Sequence, residues 1–125
     1  MHREPIRTLL PLLVILVAVV FCFGPVTTCY FTTYDDALHV YRNPLLSHLT
    51  LGNIFEFWRR PFARLYVPVS YTVWGVGAWI AKVNKISLDQ APSIFHGLNL
   101  FFHGLNAALV FLILRPCEIR THAFF

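Results

Sequence analysis

Leu9-Leu10-Pro11-Leu12-Leu13-Val14-Ile15-Leu16-Val17-Ala18-Val19-Val20-Phe21-Cys22-Phe23 is an unbroken apolar run without a charge. Carried through Gly24, Pro25 and Val26, it reaches 18 residues, near the lower limit of about 17–25 for crossing bilayer hydrocarbon. Arg3 and Arg7 precede it, which predicts a cytoplasmic N-terminus. Pro11 is read as early enough in the helix to be tolerated. A cleaved leader competes, because a basic segment precedes an apolar core of suitable length. Bulky Phe21 and Phe23, and Pro25 directly after Gly24, make a poor cleavage site. Cys22 follows Val-Val-Phe and Cys29 follows Val-Thr-Thr, so neither sits in a lipobox. The expectation is an uncleaved anchor; a secreted apolar-binding module is the reading it displaces.

Working outward, residues 93–114 form a second run with no Lys, Arg, Asp or Glu. At about 1.5 Å per residue it extends roughly 33 Å, enough to cross. Arg115 and Pro116 stop it, and a return crossing brings Arg115 and Arg120 to the side of Arg3 and Arg7, as the positive-inside bias favours. Between the runs, residues 65–83 are apolar but interrupted by Pro68, Gly75 and Gly77, and Lys82 and Lys85 close them. A third span and an interfacial helix both fit; Tyr71, Trp74 and Trp79 favour the interface, as does Trp58 upstream. Thr50 can cap a short helix over 50–60, where Ile54, Phe55 and Trp58 recur at helical spacing. That helix is expected flat on the outer leaflet with Arg59 and Arg60 near phosphates. The predicted fold is thus an all-α membrane protein, one membrane domain over residues 1–125. Spans at 8–26 and 93–114 flank an outer loop, 27–92, with interfacial helices near 50–60 and 65–83, and 115–125 is a tail. The loop is expected on the periplasmic, extracellular or lumenal side.

Composition agrees. Hydrophobic residues make up 57% of the 125, mean hydropathy is +0.61, and only 13% are charged, against about 25% in soluble domains. That much apolar surface needs a bilayer or a large partner to cover it. The net charge of +4 is scattered, its densest cluster being Arg59, Arg60 and Arg64 among aromatic and apolar neighbours. This reads as a headgroup anchor or a lipid-phosphate contact, and no nucleic-acid partner is expected. Cys22, Cys29 and Cys117 lack any CxxC spacing, which argues against a disulfide framework or a zinc site; small apolar fillers are expected.

Two polar features break the apolar background. Asp35 and Asp36 lie just beyond the first run, within Thr33-Tyr34-Asp35-Asp36-Ala37-Leu38-His39-Val40-Tyr41-Arg42-Asn43-Pro44. Charge at the mouth of a membrane helix is costly unless it meets something, although a solvated loop pair or a helix cap is the plainer account. Adjacent side chains diverge, so one carboxylate at most should face a common partner. The second feature is His96, Asn99, His103 and Asn106, which fall within an arc of roughly 80° on one helix. Such a stripe turns toward a bundle interior and hydrogen-bonds to other transmembrane segments, or it lines a polar cavity. The two histidines stand about 10 Å apart along the axis, which disfavours shared metal ligation. Gly97 and Gly104, also seven apart, would let another helix approach.

These motifs in this order, with Leu49-Thr50-Leu51, Tyr66-Val67-Pro68-Val69-Ser70-Tyr71 and His96-Gly97-Leu98-Asn99-Leu100-Phe101-Phe102-His103-Gly104-Leu105-Asn106-Ala107, carry a resemblance. Over about residues 10–115 the chain resembles the N-terminal part of GT-C-type membrane glycosyltransferases joined to tetratricopeptide repeats, the transmembrane O-mannosyltransferases and their bacterial relatives. The resemblance implies a polyprenyl-phosphate sugar donor and a first outer loop whose acidic residue acts as general base on an acceptor hydroxyl, or helps hold a divalent metal where one is used. No metal site and no cofactor are predicted from the sequence itself. Asp35 is the favoured base with Asp36 in support. His96, Asn99, His103, Asn106, Arg59 and Arg60 are the candidate donor-binding residues. Val67 stands where many relatives carry arginine before the juxtamembrane proline. The family's later spans and its repeats have no counterpart here, so the resemblance implies a fragment of a longer transferase, inactive in isolation. A small non-catalytic integral membrane protein, or a truncated pseudo-enzyme, is the alternative.

Overall fold

A computed structural model describes residues 4–121, with side-chain surroundings for 8–115. Arg3 therefore lies outside the described residues, as do the side chains of Arg7, Cys117 and Arg120. The described residues are 78% helical and include no strand, in line with the all-α expectation. Among the described residues five α-helices run in order: α1, Glu4–Phe23; α2, Pro44–Ser47; α3, Leu51–Arg59; α4, Pro68–Val83; and α5, Pro92–Thr121. Shorter helical turns cover Gly24–Thr28, Ala37–Tyr41 and Leu88–Gln90. Two stretches are long and apolar enough to cross a membrane, Thr8–Thr28 and Pro92–Arg115. At 16 residues α4 reaches about 24 Å, short of a bilayer core of about 30 Å.

Contacts divide the chain into two compact units, Met1–Val26 with Asn99–Phe125, and Thr27–Leu98. In the first, α1 meets α5 at Gly104, where an added Cβ would lie 3.6 Å from Leu16 and 4.0 Å from Val19. Gly97 has no such neighbour within 4 Å, so of the two glycines expected to admit a helix only Gly104 does. Pro11 is two turns inside α1, because the helix begins at Glu4, upstream of the apolar run. Its missing N–H removes one hydrogen bond within the helix, which makes Pro11 an interior proline and not a first-turn one.

The second unit is built on α4. Tyr71, Gly75, Ala78 and Ala81 form its buried stripe. The glycines that interrupt the apolar run are packing positions. A Cβ at Gly75 would meet Ile54 of α3 at 2.5 Å, and one at Gly77 would meet Phe95 and Leu98 at 3.1 Å. Phe57 stacks on Tyr71 with ring centroids 4.2 Å apart and planes 10° from parallel, and Phe62 and Trp74 set their edges against Tyr71. Aromatic pairs in these geometries contribute about 0.5–1.5 kcal/mol beyond area burial. Thr50 caps α3 as expected, its hydroxyl accepting from the Asn53 N–H at 3.1 Å. The residue of α3 that the fold buries is Phe57, which lies outside the expected stripe of Ile54, Phe55 and Trp58. Phe57 is 1% exposed, whereas Phe55 is 63% and Trp58 48% exposed. These residues lie along one broad apolar arc of α3, and the close approach of Ile54 to Gly75 goes with burial of the edge that holds Phe57. Trp74, expected at the interface, packs against this core.

Asn43-Pro44 starts α2. The Asn43 side chain accepts from the Leu45 N–H at 3.0 Å, and Pro44 occupies the first helical position, where no donor is needed. α4 ends in a Schellman-type stop: the Ile86 N–H reaches the Ala81 carbonyl at 2.9 Å, and that of Lys85 reaches Lys82 at 3.1 Å. The left-handed residue of this stop is Lys85, at φ 58°, where glycine is the usual choice. Lys85→Gly should stabilise the unit by about 0.5–1 kcal/mol, the left-handed strain relieved less the added chain entropy. Thermal unfolding of the full chain in detergent checks this; an unchanged or lower midpoint contradicts it.

Candidate functional site

Thr32 fixes the acidic turn. Asp36 Oδ2 accepts from the Thr32 N–H at 2.8 Å and from its hydroxyl at 3.0 Å. Asp36 is half-buried and committed to holding the turn closed, while Asp35 is exposed. The two carboxylates therefore diverge, as adjacent side chains must. Phe31 braces the turn from the preceding position. Its ring lies 5.4 Å from Tyr41, 5.6 Å from Phe95 and 5.8 Å from His96, centroid to centroid. The turn and His96 thus share one aromatic neighbour within the Thr27–Leu98 unit. His96 Nε2 is buried without a hydrogen-bond partner among the described residues. A buried polar atom left in this state costs about 1–3 kcal/mol, so the position favours a group that would satisfy it.

Below this turn lies a polar network that the sequence reading missed. His39 Nδ1 and the Tyr71 hydroxyl are 2.7 Å apart, both side chains buried, and Asn43 Nδ2 donates to the His39 carbonyl at 3.0 Å. Burial pushes the Tyr71 phenol above its usual value, so it keeps its proton and suits Nδ1 as acceptor. The hint available in sequence was His39-x-x-x-Asn43, one helical turn apart. The network is fully within the fold and holds the Ala37–Tyr41 turn against α4.

The remaining candidates separate. Asn99, His103 and Asn106 fall in the other unit, and all three are exposed. His103 sets its ring edge against Phe23 at 4.6 Å, an apolar contact where a polar one was expected. Arg59 and Arg60 are exposed at the end of α3 and both engage Glu56, Arg59 at 3.9 Å and Arg60 more closely. Exposed pairs of this kind contribute about 0–1 kcal/mol, so an incoming phosphate can compete for either guanidinium. Among the described residues no three His, Cys, Asp or Glu side chains gather as a metal ion would require. No family model, no curated protein and no solved structure matches the chain.

Proposed function

We propose that the Thr27–Leu98 unit is the outer acidic loop of a polyprenyl-phosphate-sugar-dependent glycosyltransferase, with Thr8–Thr28 and Pro92–Arg115 as its flanking spans and both chain ends cytoplasmic. The observation that carries this reading is the divided acidic pair: Thr32 occupies Asp36, and Asp35 is left exposed beside a turn braced on His96. In the proposed reaction an acceptor hydroxyl attacks the anomeric carbon of the donor. The new bond is C–O to the acceptor, and the bond that breaks joins the anomeric carbon to the phosphate oxygen, which leaves with the electron pair. Asp35 takes the hydroxyl proton as attack proceeds. His96 Nε2 offers a polar contact to donor or acceptor. Arg59 or Arg60, released from Glu56, pairs with the leaving phosphate. Asn99, His103 and Asn106 are assigned to further transmembrane segments or to the donor's polar end, since an unpartnered amide in hydrocarbon is costly. The test is transfer by Asp35→Asn compared with Asp36→Asn, at equal protein level, in a complete transferase that carries this segment; the 125-residue chain alone should transfer no sugar.

A further inference from the structure

Among the described residues, three other than glycine adopt left-handed backbone, Ala63, Arg64 and Lys85, while none of the chain's six glycines does. Ala63 (φ 47°) and Arg64 (φ 68°) are the two central residues of a tight hairpin turn, closed by the Phe62 N–H to the Leu65 carbonyl at 3.0 Å and the Leu65 N–H to Phe62 at 2.9 Å. A two-residue hairpin with positive φ at both central positions strongly favours Asn-Gly. Ala-Arg is a poor pair for it, and strain of this kind marks positions where a side chain is retained for another reason. Local packing does not supply the reason. Ala63, Arg64, Leu65 and Tyr66 are all exposed, as are Trp58, Arg59 and Arg60 beside them. The tip is nonetheless anchored to the fold: Phe62 packs on Phe57 and Tyr71, the Tyr66 hydroxyl donates to the Trp58 carbonyl at 3.0 Å, and Trp58 Nε1–H donates to Thr72 at 3.1 Å.

We infer that this tip docks on the anionic headgroups of bilayer lipid, with the Arg64 guanidinium as the phosphate contact. Three arginines against one nearby carboxylate, Glu56, match a negative surface. Exposed Trp58, Leu65 and Tyr66 suit the boundary between headgroups and acyl chains. The unit begins at Thr27, at the end of an apolar helix, so chain connectivity holds it close to any bilayer that helix crosses. Arginine is the apt cation, since its planar fork binds phosphate with two parallel hydrogen bonds. The inference rests on the membrane placement proposed above and is independent of glycosyl transfer.

The experiment titrates the purified full chain in neutral detergent with phosphatidylglycerol, and separately with a polyprenyl phosphate, reading bound lipid by native mass spectrometry. Arg64→Gln should weaken phosphatidylglycerol binding about fivefold, the effect of one basic residue at an anionic surface, and Arg64→Lys should retain most of it. The double change Ala63→Asn, Arg64→Gly should raise Tm by relieving the turn while weakening lipid binding as much as Arg64→Gln does, which separates lost contact from lost fold. Unchanged phosphatidylglycerol binding in both Arg64→Gln and the double variant would overturn the inference. Retention of polyprenyl phosphate alone would also overturn it, and would assign the tip to the donor site. Failure of the chain to insert in a membrane would instead defeat the placement on which the inference rests.

Discussion

In a complete transferase that carries this segment with further spans, Asp35→Asn should lower sugar transfer from a polyprenyl-phosphate donor by about 10²- to 10⁴-fold, because asparagine keeps the size of the side chain and cannot take a proton. Asp36→Asn should lower transfer far less. Its carboxylate already accepts two hydrogen bonds from Thr32, and an amide oxygen still accepts, more weakly. The loss at Asp36 should therefore act through the shape of the turn, and it should be reproduced by Thr32→Val, which removes one of those bonds. The comparison requires equal amounts of folded protein, since a misfolded membrane protein mimics a catalytic defect. If Asp36→Asn is inactive while Asp35→Asn turns over normally, the roles are reversed. If both retain normal turnover, neither carboxylate is the base and the proposed mechanism fails.

Phe57→Ala should cost about 3–5 kcal/mol, the range for removing a large aromatic from a closed core. Phe57 is 1% exposed, stacks on Tyr71 and meets Phe62 edge-on at 6.0 Å, so the cavity would open at the centre of the Thr27–Leu98 unit. A loss of that size is comparable with the whole stability of a small domain. Phe55→Ala, two residues away on the exposed face, should stay within about 0.5 kcal/mol in detergent. Near-ultraviolet circular dichroism during thermal unfolding reads the aromatic cluster directly. Equal losses in the two variants would contradict the assignment of the buried face.

The two long apolar helices were legible because crossing a bilayer demands length and the absence of charge, and both are visible without neighbours. The core between them was not. α3 carries one broad apolar arc of roughly 160°, from Phe57 through Ile54 and Trp58 to Phe55; the edge of it that is buried is the one where Ile54 meets Gly75 on another helix, which no local pattern reports. The same holds for Gly75 and Gly77, which look like interruptions of a span and are the positions where Ile54, Phe95 and Leu98 approach α4. The turn at Ala63-Arg64 carries none of the Gly or Asn that normally signal left-handed backbone, and at the end of α4 Asn84 is present but the left-handed residue is Lys85 after it, so sequence did not point to these positions. At the site, the divergence of Asp35 and Asp36 followed from backbone geometry alone. Thr32 as the partner of Asp36 did not, although Thr32-x-x-x-Asp36 is a spacing at which a closed turn brings the two together. His39, to which the sequence reading gave no role, is a buried partner of Tyr71.

Whether the Thr27–Leu98 unit stands on the outer face of a membrane, between two crossings, is tested most directly by labelling single cysteines in intact cells with a membrane-impermeant thiol reagent. The background would have Cys22, Cys29 and Cys117 replaced by serine or alanine. Leu51, 91% exposed at the start of α3, and Ala123, in the tail, are the positions to substitute. Leu51→Cys should label in intact cells, and Ala123→Cys only after the membrane is permeabilised. Labelling of Ala123→Cys from outside, or protection of Leu51→Cys until permeabilisation, would contradict the two-span placement and with it the outer acidic loop.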